Sequence, residues 1–77
     1  MGIPITKEMK QQMYSARYPK GTILRLIEAI DDPYTPKPVG AEFISNGVVD
    51  SELQLHGHWR GGGSMALIIE RDKFEIV

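Results

Sequence analysis

Two apolar runs with a period of two flank the segment His58-Trp59-Arg60-Gly61-Gly62-Gly63-Ser64. Leu53, Leu55, Gly57 and Trp59 share one parity before it, and Met65, Leu67 and Ile69 share one after it. Alternation on both sides of a glycine turn predicts a β-hairpin. It commits the second half of the chain to antiparallel sheet. The turn itself has two readings. Three glycines expose backbone N–H groups with no side chains over them, and Arg60 sets a cation beside them, which describes either an anion site or a loose hairpin tip.

A length of 77 residues allows one domain and only a small core. With 42% apolar and 25% charged residues, the chain has the composition of a folded protein. A core of this size without staples invites self-association, because a subunit interface buries what a monomer cannot. The absence of cysteine excludes disulfides, thiolate zinc sites and cysteine nucleophiles. It also favours the cytoplasm, since small secreted domains usually carry disulfides. The opening residues lack the apolar core of a signal peptide, and no apolar run approaches the roughly 20 residues that span a bilayer. Nine Lys/Arg stand against ten Asp/Glu, a net charge of −1, which disfavours nonspecific binding of duplex nucleic acid.

Along the chain, Thr6 is placed to cap a helix from Lys7 to about Ala16, with Met9, Met13 and Ala16 or Arg17 forming a narrow apolar stripe. Such a short helix is marginal alone and has to dock. It either covers one end of a barrel or supplies a dimer contact. Tyr18-Pro19-Lys20-Gly21 ends it. Thr22 to Glu28 reads as a strand with Leu24 and Leu26 inward and Ile23, Arg25 and Ile27 outward. The acidic loop Asp31-Asp32-Pro33-Tyr34-Thr35-Pro36-Lys37-Pro38 is stiffened by three prolines. Gly40 to Ser45 is a second strand, followed by the turn signal Asn46-Gly47, although Val48-Val49 would prolong the strand past a bulge. Leu53–Trp59, Ser64–Ile69 and Phe74–Val77 complete five strands. The expected fold is mainly β: an N-terminal helix (residues 1–17) attached to a small SH3-like five-stranded barrel (residues 18–77).

The motifs Tyr18-Pro19-x-Gly21-Thr22, Asp31-Asp32-Pro33-Tyr34-Thr35-Pro36, then Trp59, Gly62, Ser64, Ala66-Leu67-Ile68 and Asp72-x-Phe74-Glu75-Ile76 belong together. In that order they resemble domain-of-unknown-function family 4314, small proteins of bacterial mobile elements and phages. The resemblance spans about Tyr18 to Val77 and implies a small β-barrel with no assigned catalytic residues. Two departures stand out. The family hairpin usually reads Trp-Asp-Asn-Gly-Ser where this chain has Trp59-Arg60-Gly61-Gly62-Gly63-Ser64, so an acidic turn has become cationic. The family's Pro-Gly after the Ala-Leu-Ile run is replaced by Ile69-Glu70.

Several constellations carry two readings each. His56 and His58 share a strand face and form half a metal site, with Glu42 or Glu52 as further ligands, or are simply exposed polar residues. Asp31 and Asp32 bind a cation or a hydroxyl, or open a turn before Pro33; Tyr34 is expected across the barrel mouth. Trp59 is core or rim, or a stacking platform. Outward Ile23, Ile27, Ile44 and Ile68 make a patch to be covered by the helix or by another subunit. No nucleophile–base pair, metal set or cofactor fingerprint is visible, so the expectation is a non-enzymatic binding protein without a cofactor. In its sharpest form it is a homo-oligomeric counter-defence protein that sequesters a phosphorylated or nucleotide-like small molecule. Arg60, Gly61, Gly62, Gly63 and Ser64 would hold the anion, Trp59 or Tyr34 the ring, and Asp31 or Asp32 a hydroxyl. The alternative is an adaptor or inhibitor that binds a host enzyme through the barrel surface or the helix.

Overall fold

The computed structural model describes residues 5–63 and 65–77. Helix α1 spans Lys7–Arg17, and the strands are β1 (Ile23–Leu26), β2 (Glu42–Val49), β3 (Gln54–Trp59), β4 (Leu67–Ile68) and β5 (Phe74–Ile76). They form one antiparallel sheet in the order β4-β3-β2-β1-β5. The mainly-β fold with one short N-terminal helix is as the sequence implies. The sheet is not closed into a barrel, because β4 and β5 remain its two edges.

The inward parity is as read. Leu24 pairs with Phe43, Phe43 with Trp59, and Leu55 with Leu67. Phe43, Leu55 and Leu67 are wholly buried, and Tyr18, Ile30, Leu53 and Ile69 close over this face. Trp59 meets Phe43 edge to face at a ring separation of 5.0 Å.

Asn46-Gly47 is not the hairpin turn. β2 runs through it as a bulge, with the register shifting between Ser45 and Val49 and Gly47 at φ 84°. Buried Ser45 holds the distortion: its hydroxyl donates to the Tyr18 carbonyl at 2.8 Å and accepts from the Gly47 amide at 2.9 Å. The chain reverses instead at Asp50–Leu53. There the Asp50 carboxylate accepts from the amides of Glu52 and Gln54, and Leu53 takes a φ of 58°. Asp50 takes this turn because its short carboxylate reaches the amides two and four residues on.

Thr6 caps α1, accepting from the Met9 amide at 3.2 Å. The helix docks the opposite way from the one its methionines suggest. Met9 and Met13 are 43% and 55% exposed, and no residue of α1 is buried. The half-buried face is Lys10, Gln11, Tyr14 and Ser15. Ser15 and Gln11 donate to the carbonyls of Gly47 and Val49 at the bulge, and Lys10 and Tyr14 both reach Glu70. Tyr14 also stacks on Tyr18, its ring centroid 6.4 Å away. Carbonyls turned aside by the bulge need donors, and this face supplies them. The helix therefore closes one end of the sheet and leaves the outer-face isoleucines to themselves. Ile23 and Ile44 oppose one another there and are half-buried, whereas Ile27 is 54% exposed.

Candidate functional site

The glycine turn begins where β3 leaves the sheet. The Arg60 amide still donates to the Glu42 carbonyl, extending the β2–β3 ladder by one residue. The turn is then closed by Gly62 N–H donating to the Trp59 carbonyl and Trp59 N–H donating to the Gly63 carbonyl, both at 3.0 Å. Gly61, Gly62 and Gly63 have φ of 97°, 115° and 98°, a backbone that only glycine adopts readily. All three φ share one sign, whereas the backbone of an anion nest alternates. Among the described residues, the amides of Gly61 and Gly63 donate to no other protein group. Ser64, expected to complete the site, lies outside the described residues.

Two cations converge on this turn. Arg60 is 63% exposed and pairs with Glu42 at 3.1 Å, while the other oxygen of Glu42 takes Arg25 at 3.0 Å. One carboxylate thus serves two guanidiniums, and Arg60 shares its counter-charge. The second cation is Lys37, which sequence reasoning missed. Its Nζ donates to the Gly62 carbonyl at 3.3 Å and sits 5.2 Å from the Trp59 ring centroid. Lys37 reaches the turn because Ile30 and Lys37 exchange backbone hydrogen bonds of 2.8 and 3.0 Å, closing the proline-rich loop at its base. Nothing in Pro36-Lys37-Pro38 announces that tertiary bridge.

The other candidates are placed elsewhere. Trp59 is only 2% exposed and its indole N–H donates to the Met65 carbonyl at 2.9 Å, so its ring serves the core and offers no stacking face to a ligand. Tyr34 does not lie across a barrel mouth but is 90% exposed. Asp32 is a turn-former, its carboxylate accepting from the amides of Tyr34 and Thr35 at 2.8 and 3.0 Å. Those hydrogen bonds, that from Thr35 foremost, hold its carboxyl below the usual aspartate range. Asp31 and Asp32 line an open groove of about 480 Å³ with Arg71, Asp72 and Lys73. The groove includes neither Tyr34 nor any residue from Trp59 to Gly63. Anion-holding and hydroxyl-holding residues are therefore not brought into one pocket.

The histidines separate as well. His56 Nε2 lies 2.9 Å from the Asp50 carboxylate, whereas His58 opposes Ile44 and is exposed. The Gln54 amide, then the His56 ring and the Glu52 amide, hold Asp50 below its ordinary pKa. Among the described residues no three His, Cys, Asp or Glu side chains gather as a metal set, and Glu42 is committed to its two arginines. Among the same residues, no helix is long and apolar enough to cross a membrane.

A five-stranded antiparallel sheet, a helix docked on its bulge and a cationic glycine turn make this a small β-rich protein. The chain belongs to the family described as Domain of unknown function (DUF4314), whose model matches residues 6–77. No curated protein and no solved structure matches it.

Proposed function

We propose that this chain is a non-enzymatic cytoplasmic binding protein of phages or mobile elements that captures the phosphate of a small molecule, nucleotide-like in class, at the glycine turn. The observation that carries the reading is the arrival of Lys37 at Gly62. It adds a second cation to Arg60 beside two amides that, among the described residues, donate to no protein group. A guanidinium binds phosphate in a fork and an ammonium as a point charge, so the pair suits a terminal phosphate. With Trp59 in the core, the rest of the ligand is left to Tyr34 and to solvent, and recognition centres on the anion. Sequestration for counter-defence rests on the family resemblance and on the exchange of an acidic turn for a cationic one, and the homo-oligomer on the small core and the outward isoleucines.

A thermal-shift series with inorganic phosphate, linear and cyclic nucleotides and nucleotide sugars tests the reading. Ligand at 100-fold its dissociation constant adds about 2.7 kcal/mol to stability, and Arg60→Ala or Lys37→Ala should abolish the shift. If both variants are stabilised as strongly as the parent, the reading is wrong.

A second reading is favoured by the outward stripe of Ile5, Met9 and Met13, exposed by 58%, 43% and 55%. It makes the chain an adaptor or inhibitor that lays α1 in an apolar groove of a host enzyme. A silent ligand series, together with host-protein binding that Met9→Ser/Met13→Ser removes, would put this reading first.

A further inference from the structure

The outer face of the sheet carries a row of charges along one line of cross-strand register. Arg60 stands beside Glu42, Glu42 opposes Arg25, and Arg25 opposes Glu75. The row alternates in sign and ends on Glu75 at the open edge of β5. Among the described residues, Glu75 has no ion pair, while Arg25 is held by Glu42.

The edge is also open in its backbone. Val77 N–H donates to the Ile23 carbonyl and Ile27 N–H to the Lys73 carbonyl, so residues 73, 75 and 77 bond inward to β1. Antiparallel ladders alternate, and the N–H and C=O groups of Phe74 and Ile76 therefore point away from the sheet. Ile76 is 56% exposed and Phe74 is half-buried. An edge of this kind is a template for another strand.

We propose that β5 pairs with β5 of a second copy of this chain, antiparallel about a two-fold axis, with Phe74 opposite Phe74 of the second copy. The alternation restricts the register, because an outward-bonding residue has to face another. Centring on Phe74 or on Glu75 both satisfy this. Centring on Glu75 sets two glutamates against each other. Centring on Phe74 sets Lys73 against Glu75 of the second copy, twice by symmetry, with both side chains on the outer face. Opposite charges directly across antiparallel strands are favourable and like charges are not. The charge row then continues across the two-fold, and the apolar side chain of Phe74 meets its equivalent on the inner face. Such a contact is isologous and closes at two subunits. It is independent of the anion reading, since neither Lys37 nor the glycine turn takes part.

Sedimentation equilibrium between about 10 µM and about 1 mM tests the pairing through charge exchange at two exposed positions. The parent chain should show a monomer–dimer equilibrium. Lys73→Glu alone or Glu75→Lys alone should weaken it on the order of tenfold. An equimolar mixture of the two variants should recover it, because each chain then offers the charge the other lacks, and recovery also shows that both variants are folded. A parent chain that stays monomeric, single variants that associate as the parent does, or a mixture that stays monomeric would each overturn the pairing.

Discussion

Gly57 of β3 sits so close to the Ile44 carbonyl of β2 that a Cβ on it would overlap the oxygen, with Phe43 Cζ only 2.9 Å away. The neighbour is backbone, which has no rotamer into which to retreat. Gly57→Ala should therefore destabilise the fold by roughly 2–3 kcal/mol, the upper part of the overpacking range. Urea unfolding would read this as a lower midpoint at nearly unchanged slope.

Ser45 has a different part to play at the same stretch of β2. Only 2% exposed, its hydroxyl joins the end of α1 to the bulge through Tyr18 and Gly47. Ser45→Ala leaves the half-buried Gly47 amide and the buried Tyr18 carbonyl each without this partner, at a cost of about 1–3 kcal/mol. Ser45→Thr keeps the hydroxyl and separates its loss from a change in packing. Amide exchange at Gly47 should accelerate in the alanine variant.

The helix gives a comparison of two kinds of side chain. Met9 and Met13 face solvent, so Met9→Ser and Met13→Ser should each change stability by no more than about 0.5 kcal/mol. Tyr14 stacks on Tyr18 and bonds Glu70, and Tyr14→Ala should cost at least about 1 kcal/mol more. Chemical denaturation of the three variants decides whether the methionines or the tyrosine dock the helix.

Glu70 makes docking sensitive to pH at both ends. Hydrogen bonds from Lys10 first and Tyr14 second hold its carboxyl below the ordinary glutamate range. A depressed folded pKa contributes stability above the unfolded pKa, and that contribution is lost as the pH falls through the folded value. Tyr14 is the mirror case. The hydrogen bond to Glu70 raises its phenol above the usual 10.0, so its contribution is present below that pH and lost as the pH rises through the folded value. A plot of melting temperature against pH should fall at both extremes, and Glu70→Gln should flatten both limbs.

Much of the fold was legible because parity is local. Leu24 and Leu26, Leu55 and Trp59, and Leu67 and Ile69 are buried as alternation requires, and Thr6 caps the helix it was read to cap. β4 nonetheless shrank to Leu67–Ile68, because strand length depends on the partner strand. Asn46-Gly47 is compatible with a turn and with a bulge. What selected the bulge was the distant Tyr18 carbonyl meeting Ser45. For the helix, period 3.6 says which residues share a face and not which face turns inward. The bulge carbonyls decided that, in favour of Gln11 and Ser15. In the site, Arg60 and the glycines were readable from their residue types. Lys37 was not, since only the Ile30–Lys37 bridge brings its ammonium to Gly62.

The alternating row on the outer face has a consequence at long range. It sets two guanidiniums, Arg60 and Arg25, against two carboxylates, Glu42 and Glu75, which cancel. Beyond a Debye length of about 8–10 Å at ordinary ionic strength the row has almost no field. A charged molecule drifting toward this side of the sheet is neither drawn nor turned by it. Discrimination there begins only on touching, when the order of the signs along the row is read one side chain at a time.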